Sequence, residues 1–279
     1  MRARTGIRFL SLWPAHRTSA AVPELFDMRL RAMRRDRAAR IGAEPFLLER
    51  AFDDSLERIM LMNRRFESAM LIGCPVAGWP ERLRQAARNV AVRDPGMLFA
   101  RIARGAQIDE DRWEPQPQSY DLVLATGTLD TVNDLPLALQ LIRYAMKPDG
   151  LFIGSLSGGD TLPRLREAMH AADALAGGAA AHVHPRIEPS ALSGLLTNAG
   201  FERAVVDVDR VQVSYPSLDG LVADLRAMGA TNVLTRRAPP LTRSQAEAAA
   251  TCFARSGNGG RTVERFELLH FGCWTPRNG

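Results

Sequence analysis

The chain has 279 residues, 46% hydrophobic and 24% charged, which suits one large domain or one domain with an insertion. No apolar run reaches the length of a membrane span, because Arg, Asp or Glu interrupts every candidate. Three cysteines, Cys74, Cys252 and Cys273, are odd in number and far apart, which excludes a disulfide framework and points to a reducing compartment.

The formal charge of +5 rests on 36 basic residues, of which Lys147 is the single lysine. Arg with abundant Ala is a coding-bias pattern, and no aromatic-interleaved basic patch accompanies it. Nucleic acid is therefore not an expected partner. Residues 1–22 carry Arg2, Arg4, Arg8 and Arg17 with no acid before Glu24 and scattered Ser and Thr. They read as a disordered extension of a bacterial cytoplasmic protein or, alternatively, as a targeting segment for the mitochondrial matrix.

Residues 23–64 read as two N-terminal helices. Phe26, Leu30 and Met33 recur at helical spacing in the first, with Arg31, Arg34, Arg35 and Arg37 taken as a solvated face or a surface for an acidic partner. Phe46, Leu47, Phe52, Leu56, Ile59 and Met60 give the second. From 65 to 279 strands and helices alternate. Ala69–Ile72, Val90–Val92 running to Asp94, Ala106–Ile108, Tyr120–Gly127 and "LFIGSL" are strands, with helices at 80–87, 97–103 and 135–146 between them. This rhythm predicts a parallel sheet covered on both faces, with any ligand site along the strand carboxyl ends. A helix follows Gly159, another ends at "NAGF", and "AVVDVDRVQVSY" alternates like a strand or a bent strand pair. A helical segment at about 217–256 then precedes the last strand, Arg265–Trp274, and reads as a lid.

"SYDLVLATGTL" followed by "MKPDG", with an acid closing the second strand, resembles the class I S-adenosylmethionine-dependent methyltransferases. More specifically, "TVNDLPLALQLIRYAMKPDGLFIGSLSGGDTLPRLREAM", "VDVDRVQVSYPSLDGLVADLRAMGATN" and "LFDMRLRAMRRDRAAR" resemble the methyltransferase-like assembly factors of respiratory complex I. They resemble more loosely the malonyl-carrier-protein methyltransferases of biotin synthesis. The resemblance implies an α/β Rossmann-like sheet of seven strands, S-adenosylmethionine as cofactor and a complex I subunit as partner. It also implies residue roles. Gly73, Cys74 and Pro75 would form the cofactor loop, Asp94 would hold the ribose, Asp109 and Glu110 would read the adenine, and Ala125 and Thr126 would border the cofactor. Asp130, Asn133 and Asp160 would face the substrate.

The loop "MLIGCPVAGWP" departs from the family pattern. Leu71 stands at the expected acid, and Pro75 and Ala77 stand at expected glycines. Proline is locked near −65° and offers no N–H, so a loop donor is lost if the ligand used it. Each such loss costs about 1–3 kcal/mol. Three functions are consistent with these residues: a complex I assembly factor of a family implicated in arginine hydroxylation, an active carboxyl O-methyltransferase, and a cofactor-free pseudoenzyme scaffold. No catalytic residue is assigned. His182 and His184 in "HVHP" lack a third ligand, so no metal is expected. "SGGDT" also has a purely structural reading, Asp160 or Thr161 capping a helix that starts at Pro163.

Overall fold

The computed structural model describes residues 24–277. Two helices, α1 (Met28–Ile41) and α2 (Phe46–Leu61), precede the sheet. Then come β1 (Phe66–Ile72), α3 (Trp79–Leu83), β2 (Ala87–Asp94), α4 (Met97–Ile102), β3 (Ala106–Gln107), β4 (Tyr120–Thr126), α5 (Leu135–Ala145) and β5 (Met146–Ser157). The chain continues through α6 (Pro163–Ala174), α7 (Pro189–Asn198), β6 (Glu202–Tyr215), α8 (Leu218–Ala227), α9 (Arg243–Arg255) and β7 (Thr262–Trp274).

The strands form one seven-stranded sheet in the order β3-β2-β1-β4-β5-β7-β6. β1 to β5 are parallel and β7 runs antiparallel to both its neighbours. This is the Rossmann-like sheet the alternation predicts, and the strand order reverses between β1 and β4, where such sheets place their ligands. One face is packed by Met70, Val123, Phe152 and Phe271 against Leu139, Ile142 and Leu196 of α5 and α7. The other is packed by Leu71, Leu122, Leu124 and Ile153 against Phe52, Leu56 and Ile59 of α2 and Trp79 of α3. Phe52 and Trp79 lie ring on ring, 4.2 Å between centroids and 8° from parallel, a stack that joins α2 to α3 on this face of the sheet.

"AVVDVDRVQVSY" belongs to a single long strand. β6 and β7 run past the end of β5, and α6, α8 and α9 pack there around Leu165, Leu221, Leu225, Phe253 and Phe266. The start of α6 is capped differently from either sequence reading. Asp160 pairs instead with Arg265 at 2.5 Å, and Leu162, at φ 64°, holds the N-cap position without a side-chain bond. The buried Glu264 carboxylate of β7 accepts the N–H groups of Arg164 and Leu165 at 3.2 and 2.8 Å, satisfying the helix's orphan donors from across the fold.

The first helix corrects the sequence reading most. Asp27 caps it by accepting the Leu30 N–H at 2.8 Å, and Gly42, at φ 65°, ends it. Its buried stripe is Arg31, Arg35 and Ala38, spaced i, i+4, i+7, while Met33 is 58% exposed. Of the four arginines expected to face water, Arg31 and Arg35 are thus turned inward, Arg34 is half-buried and Arg37 is exposed. The extension at 1–22 lies outside the described residues.

Candidate functional site

Right-handed crossovers bring the carboxyl ends of β1, β2, β4 and β5 to one edge. β1 is followed by Gly73, whose φ is +80° and whose backbone lies so close to β4 that an added Cβ would stand 2.3 Å from the Thr126 carbonyl oxygen. Only glycine fits there without strain. Next to it Cys74 is buried. Its N–H donates to Asp94 Oδ2 at 2.8 Å, and burial, with the Asp94 charge beside it, pushes the thiol pKa up to about 12, so it is no nucleophile. Pro75 and Val76 are half-buried and Ala77 is exposed.

Asp94 closes β2 and is fully buried. Its Oδ1 accepts from Arg35 Nε at 2.8 Å and from the Gly96 N–H at 2.7 Å. Its Oδ2 accepts from Arg35 Nη2 at 2.7 Å and from the Cys74 N–H. A carboxylate offers about four acceptor positions, and all are used. Glu110 is also fully buried, and Arg31 grips it with both terminal nitrogens, at 2.7 and 2.8 Å. Arg31 donates further to the Thr128 carbonyl at 2.7 Å and to Thr131 Oγ1 at 3.0 Å. Burial opposes the charge on Arg31, and the Glu110 carboxylate more than offsets this, holding its pKa above the usual arginine range. Asp109, by contrast, is half-buried beside the outer end of α1, and burial together with the neighbouring Asp111 raises its pKa to about 6.

The structure therefore brings Gly73, Cys74, Asp94, Glu110 and Thr126 together, with Ala125 buried in the sheet core behind them. Of the two adjacent acids at the end of the third strand, Glu110 faces the crevice. The substituted loop does not fill the crevice; α1 does, through Arg31 and Arg35. The residues present do not fit S-adenosylmethionine while α1 is docked, because neither Asp94 oxygen has an acceptor position left for a ribose hydroxyl. The hydroxyls of Thr126 and Thr128 are buried there without a partner.

Against the inner side of Arg31 and Arg35 lies a partly open cavity of about 90 Å³, also bordered by Gly127, Thr128, Asp130, Ser155, Thr161, Leu162, His184, Arg186 and Met228. It is much smaller than the roughly 300–1,000 Å³ of a drug-sized ligand site and suits a single small group. Asp130 is at its wall and forms an ion pair with Arg186, both nearly buried, and the Arg186 Nε points into the interior without a partner. His184 Nε2 accepts the Val233 N–H at 2.8 Å, which places the ring proton on Nδ1. Burial and the nearby Arg186 charge lower its pKa to about 4. His182 is held separately by Asp173 at 2.8 Å, and no metal-binding cluster occurs among the described residues.

Two of the residues expected to face the substrate are bonded elsewhere. Asn133 is turned to the chain entering α1, its amide exchanging two hydrogen bonds with the Phe26 backbone at 2.8 and 3.0 Å. Asp160 does not border the cavity, being half exposed and paired with Arg265. Arg31, Arg35, Thr161 and His184 were read from the sequence only in other roles, as a solvated or docking face, a helix cap and an incomplete metal pair, and Arg186 was not singled out at all. The i, i+4 spacing of Arg31 and Arg35, extended to Ala38, was the available signal for the first two.

A family model described as a methyltransferase domain matches residues 46–206. Among curated proteins, the chain is 31% identical to the rat (Rattus norvegicus) "Arginine-hydroxylase NDUFAF5, mitochondrial", covering 95% of this chain and 81% of that protein. It is 30% identical to the zebrafish (Danio rerio) protein of the same name, over 91% and 84%. It is 32% identical to a malonyl-[acyl-carrier protein] O-methyltransferase of Xylella fastidiosa, over 57% of this chain and 52% of that one. Among solved structures, a methyltransferase-like protein of Bacillus halodurans superposes with a TM-score of 0.56 at 10% identity, covering 80% of this chain and 99% of its own. The YcgJ protein of Bacillus subtilis gives 0.53 at 11%, with the same coverage. These two likenesses concern the fold.

Proposed function

Because the chain belongs to the methyltransferase-domain family, we propose that it is a methyltransferase-like factor of respiratory complex I assembly that modifies, or docks to, a protein subunit of the complex. The observation that carries this reading is the extent of its similarity to the NDUFAF5 proteins. That similarity runs over 95% of the chain, whereas the carrier-protein methyltransferase similarity covers 57%. The 90 Å³ cavity with its Asp130–Arg186 pair supports the recognition of one small side-chain-sized group. S-adenosylmethionine is the group that Gly73, Asp94, Glu110 and Thr126 would hold once α1 is displaced. Until then Arg31 and Arg35 hold both acids. No described helix is long and apolar enough to cross a membrane. The mitochondrial names of the relatives favour a matrix location or its bacterial counterpart, the cytoplasm.

Deletion of the gene in its source organism tests this. The expected result is loss of assembled complex I on native gels and of NADH:quinone reductase activity, both restored by the wild-type gene. Intact complex I with a biotin requirement would replace this reading with the carboxyl O-methyltransferase one.

A further inference from the structure

We propose that Arg31 and Arg35 decide what the crevice can bind: docked α1 and a nucleoside-type ligand exclude one another, and the two acids are freed only when α1 lifts. The inference rests on the family reading of the crevice and goes beyond it by naming the device that closes it.

Three observations carry it. First, the acids are saturated or gripped from inside the molecule. Asp94 accepts four hydrogen bonds, two of them from Arg35, and Glu110 accepts two from Arg31. A charged fork on a buried carboxylate is stronger than the bonds of a neutral diol, so ribose hydroxyls do not displace it while the helix stays in place.

Second, the apolar contact of α1 is confined to its first turn, where the half-buried Met28 and Leu30 pack on Phe26, Val233 and Leu234. Beyond that turn its buried residues are Arg31, Arg35 and Ala38, with Met33 outside. A helix fastened by two polar forks rather than by an apolar stripe detaches when those forks lose their partners or gain others.

Third, the seat of α1 is cut to its backbone. A Cβ added at Gly96 would stand 2.7 Å from Arg35 Cβ, and one at Gly229 would stand 3.4 Å from Arg35 Cα. Gly96 has an ordinary φ of −87°, so a methyl there strains no backbone and presses hardest on Arg35, with Asp36 Oδ1 at 3.2 Å and Asp94 Oδ1 at 3.3 Å as its next neighbours.

The test is calorimetric titration of the full-length protein with S-adenosylhomocysteine, alongside hydrogen exchange of the α1 amides. The wild type should bind weakly. Gly96→Ala and the Arg31→Lys/Arg35→Lys variant, which keeps the charges but loses the forks, should each bind at least about tenfold tighter. In the wild type, excess ligand should speed exchange across 28–41. Variants that bind no better than wild type, or worse, would overturn the proposal, because the arginines would then be neutral to the ligand or part of its site. So would slower α1 exchange with ligand present, a result that needs no variant at all. Failure here with complex I lost in the deletion strain would leave the assembly reading standing. Success here with complex I intact would do the reverse.

Discussion

Arg35 and Asp94 share two hydrogen bonds, Nε to Oδ1 at 2.8 Å and Nη2 to Oδ2 at 2.7 Å, and so fasten the helix before the sheet to the acid that ends its second strand. Both side chains are almost wholly buried. Removing one member of such a pair leaves an uncompensated charge and costs about 3–5 kcal/mol. Arg35→Met is therefore expected to lower the free energy of unfolding by about that amount in urea titrations. A double-mutant cycle with Asp94→Asn should show strong coupling, and coupling near zero would mean that α1 already stands away from β2 in solution.

Two glycines of the loop after β1 should respond oppositely. Gly73→Ala places a Cβ 2.3 Å from the Thr126 carbonyl oxygen at φ +80°, so it is expected to destabilise by more than about 2 kcal/mol. Gly78 has φ −82° and nothing within 4 Å of an added Cβ, so Gly78→Ala should stay within about 0.5 kcal/mol of wild type. Thermal unfolding of the pair checks the contrast. Equal losses would contradict the loop's description.

His184 gives the stability a defined pH dependence. Folded, it releases its proton near pH 4, against 6.5 for the free side chain. Between those values the unfolded chain binds more protons than the folded one, so stability rises with pH through this window and is lost as pH falls from 6.5 towards 4. The full effect is about 3 kcal/mol. Arg186 and Asp130 face the same ring with opposite influence. Asp94 and Glu110 lie in the neighbouring crevice, so the control is His184→Gln, which keeps an acceptor for the Val233 N–H. Its urea-derived stability should vary less between pH 6.5 and 4 than that of wild type. An unchanged slope would locate the titration elsewhere.

Asp130→Asn should leave Arg186 buried without its counter-charge. The expected loss is about 3 kcal/mol or more, together with failure to restore complex I in the deletion strain. Arg243→Ala serves as the control: it pairs with Glu247 on the exposed side of α9, and its loss should be under about 1 kcal/mol with assembly preserved.

Most of the sheet could be read in advance because its strands are short apolar runs closed by turn residues, as in "YDLVLATG" ending at Thr126. Asp94 and Glu110 were named from the sequence through the family resemblance, as the acid closing the second strand and one of two acids after the third. The role of α1 was not. Hydrophobic periodicity weighs Phe26, Leu30 and Met33 and counts arginine as solvent-facing, yet guanidiniums can be buried when each one is paired with a carboxylate. Those carboxylates lie 59 and 79 residues further along the chain. Asn133 was misplaced for a related reason. Its partner is a backbone segment 107 residues away, which no local pattern reveals.

The most direct test of the account is a crystal structure of the full chain grown with excess S-adenosylhomocysteine. The account predicts either α1 docked with Arg35 on Asp94 and no nucleoside bound, or nucleoside bound with α1 withdrawn from Asp94 and Glu110. Ribose hydroxyls on the Asp94 carboxylate with Arg35 still in its fork would contradict it.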